Sequence, residues 1–323
     1  MRFILAFMLA VFSSVPAFAD VSLARAEMAQ YEAEMQAAAE ASRNGEGRSA
    51  AAHEINARKH LEAACKEFAA ADAGESDDVS VLRDYASAAM TNNDFDLASA
   101  AFARAADFEP DDAALRVSLG YALMELGASR ANDASAAFRS ALDLQPAAET
   151  AAGAYLGLGE LYRRQSLPTL ARESYENASA AKPDMRAAQL AVAAARVRDG
   201  EVLEASNALD ALGAMSGDEA ALLGNILPES LQAFQDARLT FPETHEHHLA
   251  YAKLLLRTGK NSQALGAAER AAKLDGSDYV TWNLVGGLNR QMGNLKRAEQ
   301  AYKKSLQLNP DQPRTREALQ GLG

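Results

Sequence analysis

Val21, Ala24, Met28, Tyr31, Met35 and Ala38 recur every three or four residues, the period of an amphipathic helix. Asn44-Gly45-Glu46-Gly47 stops that helix. A second is predicted from about Ser49 to Asp72, with Ala57, Leu61, Ala64, Cys65 and Phe68 on one face, ended by Gly74-Glu75-Ser76-Asp77-Asp78. Residues 20–78 thus predict a helical hairpin, either a cap on the helices downstream or a coiled-coil arm for self-association, for which the stripe is short. Beyond it a different pattern repeats: a small residue, a bulky one four later, a small one three later and a proline five later. The copies are Ala98-Phe102-Ala105-Pro110, Ala134-Phe138-Ala141-Pro146 and Ala171-Tyr175-Ala178-Pro183. Weaker copies are Ala205-Leu209-Leu212, Ser230-Phe234-Ala237-Pro242 and Ala264-Ala268-Ala271.

The last copy is the fullest: Trp282, Val285-Gly286, Gly293, Ala298, Tyr302, Ser305 and Pro310. An upstream half also recurs, at Leu119-Gly120, at Tyr155 with Leu158-Gly159 and Tyr162, and at Tyr251-Ala252. This pattern resembles the tetratricopeptide repeat, a helix A–turn–helix B unit of about 34 residues. Asn289 departs from it, standing where the family has Tyr. The resemblance covers about residues 79–312 and implies an all-α, right-handed superhelical solenoid of about seven repeats. The small residue at the eighth position of helix A lets helix B approach, and the bulky residue of helix B fills the space. Pro ends helix B because it lacks an N–H. Gly127, Gly200, Gly259 and Gly293 fall at the A–B turn, where a left-handed backbone is easy only for glycine.

The array has defects. The second repeat carries extra residues in its turn, around 128–133, and the linker from Pro146 to Gly159 is long. The interval from Ala205 to Ser230 is 25 residues, so a helix A near Asp218–Leu227 is expected to be cut short. This predicts a first part of the array at 79–212, a truncated repeat and bend at 213–244, two last repeats at 245–312 and a capping helix at 313–323. The truncated repeat is expected to bend the array near 213–228.

The N-terminus has its own pattern. Arg2 precedes an apolar run, Phe3 to Phe12, and Ala17-Phe18-Ala19 offers small residues before Asp20. Residues 1–19 therefore predict a secretory signal peptide, too short to remain as a membrane span. The expectation is an exported protein, in a bacterial periplasm or else secreted, with no membrane span after cleavage.

Composition agrees with helices packed through small side chains. About 70 residues are alanine, more than a fifth of the chain, and only 7% are aromatic. A net charge of −12 disfavours nucleic acid and anionic membranes as partners. One cysteine rules out an intramolecular disulfide framework and a cysteine-only metal cluster. No phosphate loop, nucleophile elbow or His-Glu-x-x-His is present, and Gly157-Leu158-Gly159 lies within a helix A. Neither catalysis nor a cofactor is expected. The one local constellation is His245, His247 and His248, which with Glu246 could bind Zn, Cu or Ni, although the segment opens a helix A.

The family resemblance implies instead a concave groove lined by helix-A positions 2, 5, 9, 12 and 13. Positions 12 and 13 are Arg163 and Arg164, Arg198, Arg257, and Arg290 with Gln291; Lys253 falls at position 9 and Asn283 at position 5. Such a ladder would take an acidic or C-terminal segment of another protein, since guanidinium pairs with carboxylate. Cations in the last turn of a helix also suit its dipole, with or without a ligand. The first two repeats differ, with Met90-Thr91 and Met124-Glu125, and with Arg83 and Tyr121 nearby. The expected function is a non-catalytic scaffold of the cell envelope, serving for example secretion, pilus or polysaccharide assembly. A metal-dependent protein and a self-assembling homo-oligomer are the alternatives.

Overall fold

The computed structural model describes residues 21–322. The signal-peptide expectation for 1–19 lies outside the described residues. Those described form α-helices joined by short turns, with no strand among them. The hairpin is α1 (Ser22–Arg43) and α2 (Gly47–Ala70). The repeat helices begin with α3 (Val79–Thr91), α4 (Phe95–Phe108), α5 (Ala113–Glu125), α6 (Ala131–Asp143), α7 (Ala148–Arg164) and α8 (Pro168–Ala181). Next come α9 (Arg186–Arg198), α10 (Val202–Leu212), α11 (Gly217–Asp236), α12 (His245–Arg257), α13 (Asn261–Leu274), α14 (Tyr279–Gln291), α15 (Leu295–Leu308) and α16 (Pro313–Gln320). Asp78, Asp112, Thr244 and Asp278 start α3, α5, α12 and α14 by accepting backbone N–H bonds, as short polar N-caps do.

The chain separates into two compact units, one ending at Lys182 and the other beginning at Pro183. The division thus falls upstream of the bend expected at 213–228. In the first unit the hairpin packs on the first repeat: Val21, Ala24, Met28 and Phe68 share a core with Leu82 and Tyr85, and Arg25 Nε lies 2.5 Å from Asp84 Oδ2. Three helix pairs come next, α3/α4, α5/α6 and α7/α8, with α4 stacking on α5 and α6 on α7.

Close approach at the eighth position is visible directly. A Cβ on Gly120 would lie 2.7 Å from Phe138 Cε1, one on Gly159 2.4 Å from Tyr175 Cδ1, and one on Gly286 2.6 Å from Tyr302 Cδ1. Phe138 and Tyr175 are buried to within 1% of their surface. The A–B turns take a positive φ whatever the residue: Gly200, Gly259 and Gly293 do so, and so do Asn93 and Ser166.

The second unit departs from the expected pattern. Residues 217–236 are one unbroken helix, α11, with Pro228 inside it, not a shortened helix A followed by a helix B. Leu223, Ile226, Leu227, Leu231 and Phe234 form a single buried stripe along α11, which packs on α9. The helix is fixed at both ends. Arg186 Nε donates to Glu219 Oε1 at 2.6 Å near its start, and Gly200, just past α9, faces Phe234 and Leu239 at its end. The two helices therefore run in the same direction. The segment 237–244 leads back to α12, with Phe241 between Phe234 and Tyr251. Meanwhile α10 packs on α12, so the two-helix alternation continues past α11 with α12/α13, α14/α15 and the terminal α16.

Candidate functional site

The groove positions of the last repeats come from α12 and α14. His245 Nε2 lies 3.2 Å from Asp278 Oδ2, which brings the starts of these two helices together. Lys253 and Arg257 stand in the C-terminal half of α12, and Arg290 stands in the last turn of α14. Lys253 and Arg257 are four residues apart, one turn of α12, and both reach Asp210 at the end of α10. Lys253 Nζ is 2.7 Å from Asp210 Oδ2 and Arg257 Nη2 is 2.9 Å from Oδ1. Burial pushes the Asp210 carboxyl up, but the bonds and charge from Lys253 and Arg257 outweigh it and hold it below the usual carboxylate range. All three side chains keep about a third of their surface exposed.

Arg290 and Gln291 end α14 and are exposed, with no side-chain hydrogen bond or ion pair among the described residues. Leu249 and Val280 supply apolar surface toward the starts of α12 and α14. Asn283 has a structural job. Its amide donates to Gln312 Oε1 at 2.5 Å and its carbonyl oxygen accepts from Thr315 Oγ1 at 3.0 Å, tying α14 to α16. Arg198 ends α9, whose groove-side positions Ala187, Leu190, Ala194 and Val197 are all buried to within 2%, in contrast to their counterparts on α12 and α14. The expected ladder is therefore broken at α9: no open groove surface accompanies Arg198.

In the first unit the two expected cations are already neutralised. Arg163 holds Glu160 (Nη2 to Oε1, 2.7 Å), and Arg164 bonds both Glu160 (2.9 Å) and Glu125 (2.8 Å). Burial raises the Glu160 carboxyl, yet the two arginines bring it below its ordinary value. Two carboxylates face two guanidinium groups there, so that surface has no net charge to offer an acidic ligand. Beside it, Tyr121 is buried and donates to Gly153 O at 2.9 Å. Arg83 is spent on Glu109 and on Asp112, the cap of α5.

The histidines at the start of α12 take separate partners. His245 faces Asp278 and Ala271 O, His247 Nδ1 lies 2.9 Å from Thr244 Oγ1, and His248 Nε2 lies 3.0 Å from Glu243. Among the described residues no set of three or more His, Cys, Asp or Glu side chains is placed to hold a metal ion. Phe241 against His247 and His248 gives these rings a packing role.

Sequence reasoning missed Asp210. A faint signal existed: Asp210 stands five residues past Ala205, as Arg139 stands five past Ala134, and Arg139 likewise reaches the next helix A, at Tyr162.

Tetratricopeptide repeat models match residues 84–149, 215–279 and 249–313, just over half of the chain. The protein belongs to the tetratricopeptide repeat family. Repeat proteins of this family are generally non-catalytic, and the fold is that of a protein–protein interaction scaffold. No curated protein matches the chain. Among solved structures, the yeast Tom70 is 13% identical, covering 99% of this chain and 68% of that one at a TM-score of 0.43. A tetratricopeptide repeat protein from Parabacteroides merdae is 14% identical, covering 91% and 99% at 0.36. YrrB, a repeat protein with an unusual peptide-binding site, is 17% identical, covering 69% and 99% at 0.32. No helix among the described residues is long and apolar enough to cross a membrane.

Proposed function

We propose that this tetratricopeptide repeat protein is an exported scaffold of the cell envelope that holds an extended, acidic or C-terminal segment of another protein along α12 and α14. The observation that carries the binding reading is the local charge. Lys253 and Arg257 share one carboxylate, Asp210, and Arg290 has no side-chain ion pair among the described residues, within a chain whose net charge is −12. A cationic end beside Leu249 and Val280 suits a segment with carboxylates at one end and apolar residues at the other. The balanced charges at Glu125, Glu160, Arg163 and Arg164 favour the second unit over the first. The N-terminal apolar run and Ala17-Phe18-Ala19 support export. Service in secretion, pilus or polysaccharide assembly follows only from that location.

Crosslinking in cells with the intact chain, followed by mass spectrometry, identifies the partner. Lys253→Glu with Arg257→Glu should abolish its capture and leave helicity unchanged, whereas Arg164→Glu should have a much smaller effect. Undiminished capture by the double variant refutes the assignment.

A further inference from the structure

We infer that Lys253 and Arg257 form a carboxylate seat that the free protein fills with its own Asp210, and that a partner's carboxylate must displace Asp210 to bind. The inference rests on the proposed groove along α12 and α14 and adds to it an occupant and a competition.

The geometry is that of a bound ligand. Asp210 presents one oxygen to each cation, at 2.7 and 2.9 Å, so a single carboxylate satisfies both. It comes from α10, more than forty residues earlier in the chain, and it stands near the end of that helix, one turn from the Gly213 loop. None of the three is locked in: Asp210 is 37% exposed and both cations about 30%. Exposed ion pairs of this kind contribute little to folding, so exchanging one carboxylate for another is nearly neutral for the fold. It is not neutral for binding, because every incoming carboxylate competes with one that is permanently at hand. The arrangement discriminates by number. A single acidic residue merely exchanges with Asp210. A segment with several carboxylates, or with a terminal carboxylate beside an acidic side chain, also engages Arg290 and gains over the resident group. Asp210 therefore makes the groove selective for closely spaced carboxylates.

The test uses the full chain and a fluorescein-labelled hexaglutamate peptide, with affinity read by anisotropy at low and physiological salt. Asp210→Ala should bind the peptide about fivefold more tightly than wild type, the scale of one exposed ion pair. Arg257→Ala should bind it less tightly than wild type. Asp210→Asn keeps the shape and removes the charge, and it should match Asp210→Ala; circular dichroism confirms that each variant is folded. If Asp210→Ala and wild type bind equally while Arg257→Ala loses affinity, the groove reading survives and the resident carboxylate is refuted. If neither wild type nor Asp210→Ala binds the peptide, both are refuted.

Discussion

Gly286 and Gly266 are both helical glycines, yet substituting them should have opposite effects. A Cβ at Gly286 would sit 2.6 Å from the ring of Tyr302, whose own side chain is 5% exposed and has no room to withdraw. Overpacking of this kind costs about 1–3 kcal/mol, against roughly 1 kcal/mol gained in helix propensity. Gly266 has no atom within 4 Å of the same position and lies on an exposed face of α13. There only the propensity term acts. Chemical denaturation should find Gly286→Ala destabilised by about 1 kcal/mol and Gly266→Ala stabilised by about the same amount. Equal signs would contradict the claim that the eighth-position glycine exists for the approach of helix B. Ser166 is a related case. It holds φ at +59° in a turn where later repeats have Gly, so Ser166→Gly should stabilise by up to about 1 kcal/mol.

The stability of α11 depends on pH through Glu219. The Arg186 guanidinium holds the Glu219 carboxyl below its usual range, and Glu219 also closes the capping box with Ser216. The folded chain therefore binds this proton more weakly than the unfolded chain does. Stability from the pair is complete above about pH 4.3, the ordinary value for Glu, and is lost as pH falls through the lower folded value. Between about pH 5 and pH 3 the melting temperature of wild type should drop more steeply than that of Glu219→Gln. Parallel curves would remove Glu219 from the linkage. The same helix shows where the sequence was misleading. Ser230, Phe234 and Ala237 match a helix-B motif, which led to the expectation of a separate, shortened helix A near Asp218–Leu227. In the fold Pro228 stays inside the helix, because the carbonyl it leaves without a donor belongs to exposed Gly224, while Leu223, Ile226, Leu227, Leu231 and Phe234 continue one stripe across it. Burial of that stripe outweighs the local breaker. Helix pairs elsewhere were legible because the turn and the small and bulky positions of most of them recur within a few tens of residues. The partners of Lys253 and Arg257 were not, because a contact between side chains some forty residues apart leaves no period in the sequence.

The division at Lys182 and Pro183 makes a prediction about the protein in two pieces. Stability in a repeat array is a sum of each repeat's own terms and those of its nearest neighbours, so a segment holding complete neighbour interfaces can fold by itself. Residues 183–323 hold α9 with both α10 and α11 packed on it, α10 stacked on α12, and α14 closed by α16 through Asn283, Gln312 and Thr315. That fragment should unfold in a single cooperative transition by circular dichroism in urea. It should also bind the hexaglutamate peptide as the full chain does, since Lys253, Arg257, Arg290 and Asp210 all lie within it. Replacing 217–236 by a Gly-Ser linker of equal length should behave differently. It would uncover Ala187, Leu190, Ala194 and Val197, all at most 2% exposed. A stripe of that kind exposed on a soluble helix favours association, so light scattering should report oligomers. A monodisperse, cooperative linker variant would show that α11 is an ornament on α9 and not the cover of its inner face.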